Sequence, residues 1–277
     1  MKITVGADPE LFVTKDGKFR SAHGLIPGTK ESPHKVEFGA VQVDGMALEF
    51  NIDPVDNADD FVKHNQQVMA QMKNMVPGYE FAIVPSCRFN GNHFRKQPDE
   101  AKELGCTPDY NAYTMQENPK PDNKTTTRTA SGHIHIGFCE GADPMDADHM
   151  TRCSILVKQL DMFLGLPSLF YDKDTTRRRM YGAAGAFRPK SYGVEYRVLS
   201  NAWLLSEERM RFVYNQTVAA VDSLVSGHRP FENLSDWSLR GCIDNSNLYS
   251  SGQYLAKYVN NGGDIVDQAK KLAIGVW

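Results

Sequence analysis

From Gly132 to Phe138 the chain reads Gly-His-Ile-His-Ile-Gly-Phe. Strict alternation marks a β-strand, because successive side chains leave opposite faces of the pleat. Ile134, Ile136 and Phe138 make one face apolar, while His133 and His135 share the other. The apolar face belongs against a core. Two imidazoles on a common face suit a divalent metal or, when one is protonated, phosphate oxygens, whereas a lone strand histidine is more often structural. The flanking Gly132 and Gly137 allow a backbone or a ligand to approach closely.

Strand character recurs at 3–13, 39–52, 79–87 and 193–199. Three stretches have the 3.6-residue period of amphipathic helices. Phe61, Val68, Met69, Met72 and Val76 form one stripe, after Pro54 and Asp56 and before Gly78. A second helix is predicted to open with Asp143 as cap and Pro144 in its first turn, burying Met145, His149, Cys153, Leu156, Leu160 and Phe163. A third starts at Ser206, with Glu207 and Glu208 at its positive end, and turns Met210, Val213, Thr217, Val221 and Leu224 inward. Short helices around 249–260 and 265–273 close the chain. Strands and helices alternate only loosely, with two strand runs before the first helix, which predicts an α+β fold rather than a doubly wound parallel sheet.

The 277 residues, 41% of them hydrophobic, suffice for one large domain. It divides into a sheet-bearing core, 1–205, and a helical part, 206–277. With 31 Lys+Arg against 34 Asp+Glu the net charge is -3, so nothing in the balance points to nucleic acid or a membrane, and any basic site is local. Asp8 interrupts the N-terminus too early for a signal peptide, and no apolar run reads as long enough to cross a bilayer. Cys87, Cys106, Cys139, Cys153 and Cys242 form an odd, scattered set without a CxxC, which suits reduced thiols in a cytoplasm.

Chemistry is sought where strands carry groups that strands usually avoid. Asp8 and Glu10, two apart after Gly6, share a face; paired carboxylates repel and favour a divalent cation, although acidic pairs are also common on solvated loops. Glu49 lies among Leu48, Phe50 and Ile52, where Val or Thr is usual, and calls for a partner, either a metal or an arginine across the sheet. Asn51 shares its face and can orient a ligand. Asp44-Gly45 reads as a hairpin turn, which makes Asp44 more readily a turn residue than a ligand. Many carboxylates and few soft ligands favour magnesium or manganese over zinc. Glu195 and Arg197 also share a face, either as a site pair or as a cross-strand salt bridge. The glycine-rich stretch before Arg188 and Lys190 suggests a phosphate cradle. Of Arg177, Arg178 and Arg179, two are expected on a solvated helix face. Cys106-Thr107-Pro108-Asp109-Tyr110-Asn111 reads either as a loop aiming Asp109 and Asn111 at substrate or as an ordinary Pro-Asp turn.

The order of Gly6-Ala7-Asp8-Pro9-Glu10, Val43-Asp44-Gly45 with Glu49, Gly132-His133-Ile134-His135 and Tyr192-Gly193-Val194-Glu195-Tyr196-Arg197 resembles the carboxylate–amine ligase superfamily of glutamine synthetase and glutamate–cysteine ligase, and more narrowly its phage-type branch. The resemblance spans roughly the first 200 residues and ends before Ser206. It implies a curved, mainly antiparallel sheet with helices on its outer face, ATP and Mg2+ or Mn2+ as cofactors, and location in a cytoplasm, that of the host if the gene is phage-borne. Carried over, Asp8, Glu10, Glu49, His133 and Glu195 look like metal ligands and His135 like a nucleotide contact. Arg188 resembles the phosphate-binding arginine and Arg197 the one meeting the substrate carboxylate or the transferred phosphate, with Arg179 and Lys190 as second-rank nucleotide contacts. Asp8 stands where glutamine synthetase has glutamate, and Asp44 sits closer to Glu49 than the corresponding acid there. The implied reaction joins a small-molecule or peptide carboxylate to an amine through an acyl phosphate, for which arginines and magnesium supply charge neutralisation. Asp44, Asp109 or a metal-bound carboxylate would take the proton of the amine. A guanidino-kinase-like phosphotransferase, a zinc-dependent hydrolase using His133 and His135, and a non-catalytic binding protein are the competing readings.

Overall fold

Thr4–Lys15 forms β1, an unusually long strand with Val5, Ala7 and Leu11 turned one way and Asp8 and Glu10 the other. The computed structural model describes residues 3–104, 108–121 and 124–273. Among the described residues there are eleven further strands: β2 (Lys18–Arg20), β3 (His34–Val36), β4 (Gly39–Asp44), β5 (Ala47–Ile52), β6 (Glu80–Ala82), β7 (Ser86–Arg88), β8 (Tyr110–Asn111), β9 (Thr127–Thr129), β10 (Gly132–Gly137), β11 (Ala186–Lys190) and β12 (Gly193–Tyr196). Ten make one sheet in the order β3-β4-β5-β1-β10-β12-β11-β8, with β2 and β6 also on β1, and β7 pairs β9 apart from it. All these pairings are antiparallel.

Length lets β1 serve as the spine. Its first half pairs β10 from Thr4 to Pro9, its middle pairs β5 at Glu10 and Leu11, and its end pairs β2 and β6. The sheet is therefore continuous through the strand bearing the first acidic pair. The predicted hairpin is present: β4 and β5 are joined at Gly45, whose φ of 58° is one that glycine adopts without strain.

Helices cover one face. Ala58–Met75 begins where the Asn57 side chain accepts the Asp60 N–H at 2.8 Å, and buries Phe61, Val62, Val68 and Met72. Glu207–Val225 begins as expected at Ser206, whose hydroxyl accepts the Arg209 N–H. These two helices pack together, and Ala147–Leu160 packs on β11 and β12. Between sheet and helices lie Ile134, Ile136, Phe187, Val194 and Tyr196, all fully buried. Burying such a side chain contributes roughly 1.5–3 kcal/mol, so this layer fixes which sheet face looks outward. Past Glu207 every described element is a helix, and Leu255, Ile265, Val266 and Ala269 join the same core.

Several expectations are corrected. The second helix is capped by Asp146, not Asp143; Asp143 instead holds a turn, accepting the Met145 N–H, and Met145 is exposed rather than buried. That helix continues through a π turn, Asp161–Gly165, to Tyr171, and Ala147–Tyr171 is long and apolar enough to cross a membrane, contrary to the sequence reading; most of its apolar window is buried within the fold. Of the three arginines only Arg179 is exposed: Arg177 and Arg178 are buried, bonded to the carbonyls of Val198 and Arg197 and of Asp172 and Asp174. The glycine-rich stretch 182–185 is irregular, and Arg188 and Lys190 follow it on a strand, β11.

Candidate functional site

Register places the polar residues in rows on the sheet face that the helices leave open. One row runs Arg188, Glu195, His135 and Gly6 across β11, β12, β10 and β1. In the next, His133 stands opposite Asp8, with Arg197 just past the end of β12. A third runs Glu10, Glu49 and Gln42 across β1, β5 and β4. This face lines a cavity of about 680 Å3.

Two clusters share it. In the first, Asp8 Oδ1 lies 3.2 Å from His133 Nδ1 and 3.1 Å from His135 Nε2, and His133 Nδ1 is 3.3 Å from Glu195. Glu195 is fully buried and receives Lys190 at 2.9 Å, Arg188 at 3.3 Å and Arg197. Arg197 also reaches Asp109 at 3.3 Å. Burial alone would raise the carboxyls of Asp8 and Glu195. The imidazoles at Asp8, and Arg197 with the imidazoles at Glu195, outweigh that and hold both below the usual carboxylate range. Burial and Arg197 push His133 down to about 4, so it is neutral at pH 7. Burial also opposes the charge on His135, but Asp8 prevails and raises it.

The second cluster is Glu10, Asp44 and Glu49. Glu10 accepts the Ser131 N–H at 2.8 Å and Glu49 accepts Gln42 Nε2 at 2.8 Å. Burial and Asp44 push Glu10 up to about 7, and burial with Asp44, Asp8 and Glu10 raises Glu49 well above its ordinary value.

A divalent cation fits both clusters. One ligand atom each from Asp8, His135 and Glu195 lie within 4.8 Å of one another, and the same holds for Glu10, Asp44 and Glu49. Asp8 Oδ1 and His135 Nε2 are buried without a well-formed hydrogen bond, although they are close together. Tyr192 Oη lies 2.6 Å from His135 Nδ1 and so turns Nε2 toward Asp8, the outer support that a ligating imidazole usually has.

Nearly all the sequence candidates meet here. Asp8, Glu10, Glu49, Asn51, His133, His135, Arg188, Lys190 and Arg197 line the cavity, with Glu195 beneath them. Both histidines converge on Asp8, His133 also lies 3.3 Å from Glu195, and one ligand atom each of His135, Asp8 and Glu195 comes within 4.8 Å of the others. Arg179 does not reach the cavity and bonds its neighbour Thr175. Asn111 is spent on the fold, donating to the Ala184 carbonyl and accepting the Tyr113 N–H, so it is not aimed at a ligand. Asp109 stands behind Arg197; Cys106 and Thr107 lie outside the described residues. Gly132 and Gly137 serve the protein's own packing: a Cβ on the first would fall 2.4 Å from the Ser200 carbonyl, and on the second 2.4 Å from Thr4 Oγ1. The site residue underrated by sequence is Asp44. The signal was present, since Gln42 and Asp44 alternate along the strand that the hairpin returns beside Glu49. Lys30, which also lines the cavity, left no sequence signal because it comes from an irregular segment.

Fold and site define an α+β protein with an acid- and arginine-lined cleft on the open face of an antiparallel sheet. Within it, residues 126–234 match the model of the family described as Phage phiEco32-like COOH.NH2 ligase-type 2, so the resemblance to carboxylate–amine ligases holds over that stretch. The stretch is less than half of the chain and contains His133, His135, Arg188, Lys190, Glu195 and Arg197, but not the acids of β1, β4 and β5. No curated protein matches the sequence. Among solved structures, that of a bifunctional glutathione synthetase from Pasteurella multocida is similar over 98% of this chain and 51% of that one, at 11% identity and a TM-score of 0.40. The chain spans about half the length of that enzyme, and a likeness so distant transfers neither fold nor activity.

Proposed function

We propose that the cleft is the active site of an ATP- and Mg2+-dependent carboxylate–amine ligase, working through an acyl phosphate on a glutamine-synthetase-like sheet. The observation that carries this reading is the placement, on one sheet face, of two carboxylate clusters beside Arg188, Lys190 and Arg197. Phosphoryl transfer asks a protein chiefly for positioning and charge neutralisation, and this cleft offers both without a serine or cysteine nucleophile.

Asp8, His135 and Glu195 would hold one divalent ion, and Glu10, Asp44 and Glu49 another. Bound there, such ions would neutralise phosphate oxygens and draw them into line. Arg188 and Lys190 meet the polyphosphate, and Arg197 meets the carboxylate substrate. The γ-phosphoryl group passes to a carboxylate oxygen, releasing ADP; the amine then attacks the acyl carbon, loses a proton and expels phosphate. Asp44, Asp109 or a metal-bound carboxylate would take that proton. The whole chain acts as one catalytic unit, the part from 206 onward serving as helical support. The four described cysteines are free thiols, which supports a cytoplasmic setting.

The test is ADP release with candidate carboxylate and amine pairs. The reading expects release that needs both partners and a divalent ion; ATP turnover indifferent to either partner would refute it.

A further inference from the structure

The acidic cluster already has a cation beside it. Lys30 comes from the irregular segment between β2 and β3, and its ammonium lies 2.7 Å from Asp44 Oδ1, close enough to Glu49 and Glu10 for their charges to act on it. The backbone that delivers it is tightly placed. Gly28, at φ 97°, accepts the Val43 N–H with its carbonyl, and a Cβ there would fall 2.4 Å from the Val41 carbonyl oxygen. No other residue type lets the segment lie so closely on β4. Thr29 and Ser32 then exchange backbone hydrogen bonds at 3.1 and 3.2 Å, closing a turn with Lys30 inside it.

The side chain is held less firmly than its backbone. It is 41% exposed and its stem is a flexible four-carbon chain. Three carboxylates can attract a divalent ion, yet an ammonium in the same field repels one and occupies an oxygen that the ion would need.

We propose that Lys30 stands in for a divalent cation at the Glu10–Asp44–Glu49 cluster, so that an ion binds there only when this ammonium swings away. The inference rests on the metal-dependent reading given above. It makes the lysine-guarded cluster a weaker ion site than its three acids alone would be.

The experiment is a Mn2+ titration of the full chain without nucleotide, followed by calorimetry and by electron paramagnetic resonance of free Mn2+. It compares the wild type with Lys30→Gln, Lys30→Arg and Glu49→Gln, each first shown to be folded by circular dichroism. Two ions are expected in the wild type, one of them lost in Glu49→Gln. Lys30→Gln tightens that ion by about tenfold or more, the scale of removing one charge a few ångströms away in a partly wet site, and Lys30→Arg does not. A second ion bound only by Lys30→Gln supports the proposal equally. Unchanged or weaker binding of the second ion by Lys30→Gln overturns the role of Lys30 and leaves the metal reading standing. A wild type and a Lys30→Gln variant that both bind no Mn2+ overturn the two together.

Discussion

Asp161 is fully buried at the start of the π turn, and its carboxylate accepts the hydroxyls of Tyr196 at 2.7 Å and Tyr113 at 2.8 Å. Burial pushes its pKa from 3.8 up to about 7, against the opposing effect of the two tyrosine hydrogen bonds. The native state therefore holds a proton that the unfolded chain gives up near pH 4. Stability from this group is fully present below the unfolded value and is lost as pH rises through about 7. A shift of about 3 units at ~1.4 kcal/mol each sets an upper value of about 4 kcal/mol. Asp161→Asn removes the titration while keeping an oxygen for one tyrosine and a neutral amide for the other. Urea denaturation of both proteins between pH 4.5 and 8.5 isolates the effect, because every other group cancels in their difference. The wild type is expected to lose stability relative to Asp161→Asn as pH rises, by up to about 4 kcal/mol, with most of the change complete by pH 8. A difference that stays constant with pH, or that grows in the wild type's favour, refutes the reasoning.

Glu195→Gln strips the anion that Arg188, Lys190 and Arg197 share; the loss should cost about 3–5 kcal/mol in thermal or urea denaturation and abolish ADP release. Arg188→Ala should also remove ADP release, whereas Arg179→Ala, on an exposed helix face, should change neither rate nor stability by more than about 0.5 kcal/mol. Gly132→Ala would set a Cβ 2.3 Å from Trp203 Nε1, and should destabilise by about 1–3 kcal/mol, read as a lowered urea midpoint. Because Glu10 and Glu49 have raised pKa values, Mn2+ binding at their cluster should tighten as pH rises through about 7 and release protons, a release seen by calorimetry in buffers of different ionisation heat.

The sequence reveals what obeys a short period and hides what depends on closure in space. Alternation alone placed His133 and His135, Asp8 and Glu10, and Glu195 and Arg197 on common strand faces, and register then brought those faces together. It also placed the helices Ala58–Met75 and Glu207–Val225, whose stripes and caps are local. It failed where a local pattern has two spatial solutions. Three arginines in a row look solvated until the carbonyls of residues 172, 197 and 198 close around two of them. A long apolar helix has a membrane-span composition whether lipid or protein surrounds it.

The histidine strand shows why register decides chemistry. Both imidazoles leave the same face, so alternation cannot rank them. Opposite His133 stands Asp8, and burial together with the positive charge of Arg197 keeps its ring neutral. Opposite His135 stands Gly6, with no side chain, and on its other flank Glu195. The Tyr192 hydroxyl at Nδ1 leaves Nε2 of His135 turned to Asp8 and buried beside it without a well-formed hydrogen bond. Gly6→Val, whose Cβ would fall 3.6 Å from the Cβ of His135, should crowd that ring and weaken Mn2+ binding at the Asp8–His135–Glu195 site. The Glu10–Asp44–Glu49 site should be left unchanged in the same titration. Equal weakening at both sites would mean the strand has shifted as a whole, and the reasoning from His135 would be wrong.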